Sequence, residues 1–344
     1  MNTLALTSTQ IGVTFGFRAK AGYFESPEGR AEADSIAAAG IKWVTLVPTV
    51  YQEHYYSERQ FADFERTPSD LEIVDMINYL HSLGLFVQLR PMLESLDGTG
   101  RLQVNFPPDV TSRIPGLELH SCSNWFAAMK ARAVHYAKIA ERTGCELYCL
   151  DSELDRIICY NREWKKVIKA VRAVYHNPLT SCHTSHTGVV GFESALAIKD
   201  HWFYDLDMLS ISCYHRAVSH PGATVDEIRA GFVSQLERFR GYAKLYGKPI
   251  LFGECGCTSS VGGATRPSGW STTPTYDGNE QAAFFEAVIE TFRGEPWWRG
   301  LCQWKWDEQM PRPFLDADPA GNSGFTIKGK PAEKLFARYN AELS

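Results

Sequence analysis

The chain has no surplus of either charge. Its 35 Lys and Arg stand against 40 Asp and Glu, a net charge of −5, and no run of five or more like charges occurs. This argues against the basic footprint that nucleic acid or an anionic membrane surface requires, so neither partner is expected. No stretch of 18 consecutive apolar residues is present, which excludes a conventional membrane-spanning helix. The opening Met1-Asn-Thr-Leu-Ala-Leu-Thr-Ser-Thr-Gln10 has neither a basic start nor a sustained apolar stretch. It does not read as a secretory signal, and the expectation is a cytoplasmic protein, with a mature secreted form as the open alternative.

Other absences narrow the chemistry. The nine cysteines are odd in number and follow no disulfide-scaffold spacing, so they are expected to be mostly reduced. Paired Cys-x-x-Cys and His spacings of structural zinc sites are missing, and a metal site built from Cys255, Cys257, His183 and His186 is not expected. There is no G-x-x-x-x-G-K-[ST] phosphate loop; Gly253-Glu-Cys-Gly256 is short and lacks the lysine. No cofactor is expected.

What is present is a repeating unit. Apolar, β-branched or aromatic runs recur at Ile11–Phe17, Lys42–Val47, Leu85–Arg90, Leu147–Asp151, Leu179–His183, Met208–Ser212, Ile250–Gly253 and Gly300–Trp304. Helix-forming stretches intervene or follow at about 30–39, 69–83, 124–143, 161–175, 225–246, 278–293 and 331–342. Ser69 suits an N-cap, and Gly40 and Gly84 suit helix stops. Eight short strands alternating with helices predict a single-domain α/β fold, a closed (β/α)8 barrel over residues 1–344. Residues 1–10 are expected to form a loosely ordered N-terminal segment. At 344 residues the chain exceeds the roughly 150-residue domain norm, but such barrels commonly run to about 250 residues and beyond.

Chemistry in such barrels sits at the C-terminal ends of the strands. Two glutamates fall there: Glu153, just beyond the fourth strand in Leu150-Asp-Ser-Glu-Leu154, and Glu254, at the end of the seventh in Pro249-Ile-Leu-Phe-Gly-Glu254. Hydrolysis of a glycosidic bond with retention needs one carboxylate as nucleophile and another as acid and then base. Two loops are expected near that mouth. One is 92–123, with its turn formers Asp97-Gly-Thr-Gly100; the other is 258–277, with Gly262-Gly263, Trp270 and Tyr276.

In these features the chain resembles the retaining glycoside hydrolases of clan A, and more narrowly glycoside hydrolase family 113, whose characterised members are mainly β-1,4-mannanases. The resemblance runs from Gly12-Val-Thr-Phe-Gly-Phe17 through Arg90-Pro-Met92, Asp97-Gly98 and Tyr136–Cys145 to Trp297–Trp306 and Gly329-Lys-Pro-Ala-Glu333. It implies Glu153 as acid/base, Glu254 as nucleophile, and an oligosaccharide or polysaccharide of β-linked sugars as substrate, mannose units first. Where most of the wider clan has an Asn that binds the sugar 2-hydroxyl, this chain has Ser152. Tyr214 stands where a clan tyrosine hydrogen-bonds the nucleophile, and Trp304 where an aromatic floors the cleavage site.

Further substrate contacts are expected from Arg90, His183, Asp151 and Trp306, with His186, Asp155 and Asp307 as weaker candidates. Each also has a plain structural reading. Arg90 fits a buried ion pair, His183 a polar loop, and Asp151 either a charge that raises the Glu153 pKa or a partner for Arg90 or another cation. Other β-glycosidase or transglycosylase activities on the same carboxylates, and a non-catalytic sugar-binding barrel, are the alternatives.

Overall fold

The computed structural model describes residues 2–114, 116–185, 195, 198–269, 275–310 and 323–343. Eight parallel strands close a barrel: β1 (Gln10–Phe15), β2 (Trp43–Leu46), β4 (Phe86–Leu89), β6 (Leu147–Ser152), β7 (Leu179–Thr184), β8 (Leu209–Cys213), β9 (Ile250–Cys255) and β10 (Trp298–Gln303). They pair in that order, and β10 returns to β1. All eight predicted strands are therefore present. Each is buried almost throughout, as expected of parallel strands covered on both faces.

The helices α2 (Pro27–Ala38), α3 (Asp70–Ser82), α4 (Ser121–Thr143), α5 (Asn161–Arg172), α6 (Val225–Tyr246), α7 (Gly278–Phe292) and α8 (Pro331–Leu343) account for every predicted helix. Their ends follow local chemistry. Ser69 and Glu72 form a reciprocal capping box at α3, and Thr224 and Glu227 do the same at α6. The helix α4 stops at Gly144, whose φ of 75° is the left-handed turn that glycine enters without steric cost.

Apolar packing falls into three zones. The largest lies between strands and helices and includes Trp125, Trp164, Phe252 and Phe292. A second fills the N-terminal end of the barrel with Trp43, Leu147, Met208, Leu251 and Cys302. A third, Phe17, Val47, Met92, Tyr214, Trp304 and Phe325, lies at the opposite mouth.

Two expectations need correction. Residues 4–7 are not loose: they form a short helix, α1 (Leu4–Thr7), whose Ala5 is buried against the second zone and accepts a 2.9 Å hydrogen bond from the Gln10 side chain. The 92–123 segment is not all loop either. Its start, β5 (Met92–Ser95), pairs in parallel with β3 (Thr49–Gln52) as a two-stranded extension above the barrel. Pro48 and Pro91 stand between each barrel strand and its extension, and a residue without an N–H interrupts the ladder there.

The seam between β1 and β10 depends on Gly300. Its φ is +100°, and a Cβ at that position would lie 2.0 Å from the Gln10 carbonyl oxygen. Gly300→Ala is therefore expected to lower stability by about 2 kcal/mol or more. Denaturant unfolding checks this, and an unchanged midpoint would mean that the seam accommodates a side chain.

Candidate active site

Glu254 is the next-to-last residue of β9, at the C-terminal mouth, and is 2% exposed. Two hydroxyl donors and a guanidinium converge on it. The Ser152 hydroxyl donates to Oε1 at 2.6 Å, the Tyr214 hydroxyl to Oε2 at 3.3 Å, and Arg90 Nη2 lies 3.7 Å from Oε1. Arg90 is fully buried and anchored in turn: Nη1 donates to the Gly253 carbonyl at 2.8 Å and Nη2 to Thr14 at 3.5 Å. Burial, then the neighbouring Glu254, pushes the Tyr214 phenol far up, so it stays a donor. Both oxygens of Glu254 are thus fixed from beneath and beside.

Glu153 follows the last residue of β6 with φ 60°, a left-handed backbone that a residue with a Cβ adopts at a cost of about 1–3 kcal/mol. Its N–H donates to the Cys182 carbonyl at 2.8 Å, which holds the turn. The carboxyl is pushed up to about 8, first by burial and then by the charge of Glu254, with Asp155 adding to the rise. Arg101, whose Nε lies 3.5 Å from Glu153 Oε2, and a hydrogen bond with Ser212 oppose it. The two glutamates therefore differ in kind: Glu153 holds its proton near neutrality, while Glu254 is gripped by donors.

Around them lies a cleft of about 430 Å3. Trp304 packs on Phe17 with ring centroids 4.8 Å apart, and Phe325, Met310 and Tyr214 continue the apolar side. The facing wall is charged. Glu94, on β5, accepts 2.7 Å from Arg18 Nη2 and also pairs with Arg101, and Arg101 belongs to the Gly100–Leu102 stretch that lines the cleft. The 92–123 loop does overhang the mouth. The 258–277 loop contributes Ser268 to the cleft, while Tyr276 bridges back to Ser260.

Of the residues expected from sequence, Glu153, Glu254, Tyr214 and Trp304 line the cleft. Ser152 and Arg90 lie beneath it, their groups turned on Glu254 rather than on the open cleft. The other expected contacts take their structural readings. Asp151 pairs with another cation, Arg132 of α4, and accepts the Ser152 N–H at 2.7 Å; the carboxylates that raise Glu153 are Glu254 and then Asp155.

His183 is 1% exposed, bonded through Nδ1 to Asp155 at 2.8 Å and packed on Trp202 and Phe203. Asp155 is consumed by that bond and by Thr184. Trp306 points away from the mouth into the layer under α2, where its Nε1 donates to Glu32 at 2.9 Å. Asp307 is buried and accepts from Gly16 N and Tyr23. His186 and Trp270 lie outside the described residues.

Cys255 and Cys257 are buried thiols pushed up by that burial, and among the described residues no cluster of three or more His, Cys, Asp or Glu could hold a metal ion. Sequence reasoning missed Phe17, Arg18, Glu94 and Arg101. The signal for Arg101 was its place directly after Asp97-Gly-Thr-Gly100, in the loop expected over the mouth.

A closed eightfold barrel with two cleft glutamates of contrasting environment, one on β9 and one just past β6, has the layout that glycoside hydrolysis calls for. The comparisons make the class specific: the model of Glycoside Hydrolase Family 113 matches residues 13–330, and the chain belongs to that family. Among solved structures, a GH113 β-mannanase from Alicyclobacillus acidocaldarius in complex with ManMIm is 27% identical with a TM-score of 0.81, the match covering 98% of each chain. A complex of a GH113 β-1,4-mannanase is 26% identical with a TM-score of 0.80, over 97% of this chain and 99% of that one. A β-glucuronidase from Ruminococcus gnavus, 13% identical with a TM-score of 0.55 over 90% of this chain and 46% of that one, shares the fold alone. No curated protein matches significantly.

The environment of Glu153 sets a stability test. A carboxyl that binds its proton more tightly when folded makes the folded state lose stability as pH rises from the ordinary carboxylate range toward about 8. Glu153→Gln removes that loss. The variant is expected to melt higher than the parent at pH 8, with the gap closing at pH 4; a gap independent of pH would contradict the raised carboxyl.

Proposed function

We propose that the protein is a retaining β-glycosidase acting on β-1,4-linked mannose units, as mannan or manno-oligosaccharides, with Glu153 as acid/base and Glu254 as nucleophile. The observation that carries this reading is the contrast between the two carboxyl groups: one keeps its proton near neutrality, the other is oriented by two hydroxyl donors and faced by a guanidinium. In the first step Glu153 gives its proton to the leaving oxygen while Glu254 attacks the anomeric carbon and the glycosidic bond breaks. In the second, ionised Glu153 takes a proton from water, whose oxygen displaces Glu254 from the sugar. Each attack inverts the anomeric centre, so two restore it.

The mannose preference rests on family membership and on the two β-mannanase structures that match nearly the whole chain. Trp304 and Phe17, their rings tilted by 56° to one another, line the cleft with apolar surface of the kind that meets the face of a pyranose ring. The charged wall of Arg18, Glu94 and Arg101 offers donors and acceptors to sugar hydroxyls. Retention requires carboxyl groups about 5–5.5 Å apart, against about 6.5–9.5 Å for inversion.

The test is hydrolysis of manno-, gluco- and xylo-oligosaccharides by the parent, Glu153→Ala and Glu254→Ala, with the fresh anomer read by proton NMR. Expected are β-configured products of the manno series, lost with Glu254→Ala and slowed by about 10²- to 10⁴-fold with Glu153→Ala. Turnover of another series would overturn the mannose assignment and keep the mechanism. Sugar binding without any product would favour a non-catalytic barrel.

A further inference from the structure

Arg101 has a more specific part than lining the cleft. Its guanidinium reaches the mouth from a short turn, Arg101–Gln103, in the loop between β5 and α4. There it touches two carboxylates. Nη1 pairs with Glu94 Oε1, and Nε lies 3.5 Å from Glu153 Oε2 without completing a hydrogen bond to any group. Its other contacts are flat rings: the guanidinium carbon is 5.5 Å from the centroid of Phe17 and 6.0 Å from that of Trp304. Glu94 is held on its second oxygen by Arg18. The result is a chain of alternating charge, Arg18–Glu94–Arg101–Glu153, of which Glu94 is anchored in β5.

We propose that Arg101, supported by Glu94 and Arg18, is the positioning residue of Glu153, fixing its carboxyl for proton transfer and tying it to the loop that overhangs the cleft. The inference rests on the acid/base reading of Glu153. The remaining groups around Glu153 cannot take this part. Glu254 on β9 repels its charge, and Asp155, in the turn after Glu153, does the same while being bonded to His183 and Thr184. Ser212 and Tyr214, at the end of β8 and just beyond it, are neutral, and Tyr214 is committed to Glu254. Arg90 contacts Glu254, Gly253 and Thr14. Among the described groups, Arg101 is thus the cation placed to attract the Glu153 carboxylate.

Two consequences follow in opposite directions. Loss of the Arg101 charge leaves the Glu153 anion without its opposite charge, so Glu153 should bind its proton more tightly. Loss of the Glu94 charge frees Arg101 for Glu153 alone, so Glu153 should release its proton more readily. A purely structural arginine would give neither shift.

The direct test needs no substrate: a carbon-13 NMR titration of the glutamate carboxyls in the intact chain, with the Glu153 signal assigned by its loss in Glu153→Gln. Arg101→Gln is expected to move the Glu153 midpoint up by roughly one pH unit, Arg101→Lys to restore most of it, and Glu94→Gln to move it down. Melting curves confirm that each variant is folded. On the oligosaccharide hydrolysed best by the parent, Arg101→Gln should lower kcat by about tenfold or more and shift the alkaline limb of kcat/KM in the same direction as the NMR midpoint.

An unmoved midpoint in folded Arg101→Gln overturns the proposal whatever the activity. Shifted midpoints together with an unimpaired Glu153→Ala would overturn it differently, by removing the acid/base role on which it rests.

Discussion

Two carboxyl groups buried at one barrel mouth cannot both be ionised cheaply, and the rest of the site follows from how that conflict is settled. Ser152, Tyr214 and Arg90 all turn toward Glu254. The proton stays with Glu153, which is a little less enclosed, has fewer donors and must face the charge of its neighbour. Burial, usually a cost for an acidic side chain, is here what holds the proton on Glu153.

The barrel makes this arrangement rigid. Glu254 and its supports come from different strands, β9 for the carboxylate, β6 for Ser152 and the end of β8 for Tyr214, so closure of the sheet fixes their mutual placement. Arg90 ties the site to the barrel interior through Thr14 of β1 and Gly253 of β9. Outside that frame, Asp151 and Arg132 lock β6 to α4 in a buried ion pair, which holds the strand end from which Glu153 departs. The opposite mouth is stoppered by α1, leaving the C-terminal mouth as the place for the cleft.

Much of this was legible in the sequence because the signals were local. Each barrel strand is a short apolar run, and Ser69, Gly40 and Gly84 mark helix ends by their own hydrogen-bonding and backbone preferences. Glu153 and Glu254 stood out as a pair, each at or just past the end of such a run, on the side of the barrel where chemistry sits. The failures were those of direction and distance. Two residues apart in sequence, Asp151 was a candidate to raise the Glu153 pKa, but pairing of β6 with β7 slips between Cys149 and Ser152, and Glu153 turns into a left-handed backbone. Asp151 consequently faces α4 and Glu153 the cleft. His183 and Trp306 sit near strand ends, as expected, yet their rings are taken up by Asp155 and by Glu32 of α2. The wall of Arg18, Glu94 and Arg101 joins segments up to 83 residues apart through ion pairs, and no local pattern announces it.

The proposed double displacement requires Glu254 to be the nucleophile that bonds covalently to the anomeric carbon. The most direct measurement is mass spectrometry of the intact protein and its peptides after incubation with a 2-deoxy-2-fluoro-β-mannosyl fluoride, whose fluorine slows release of the glycosyl-enzyme. One sugar per chain, mapped to the peptide containing Glu254 and absent from Glu254→Ala, is the expected result. A label on another residue, or rapid hydrolysis with inverted product and no label, would contradict it.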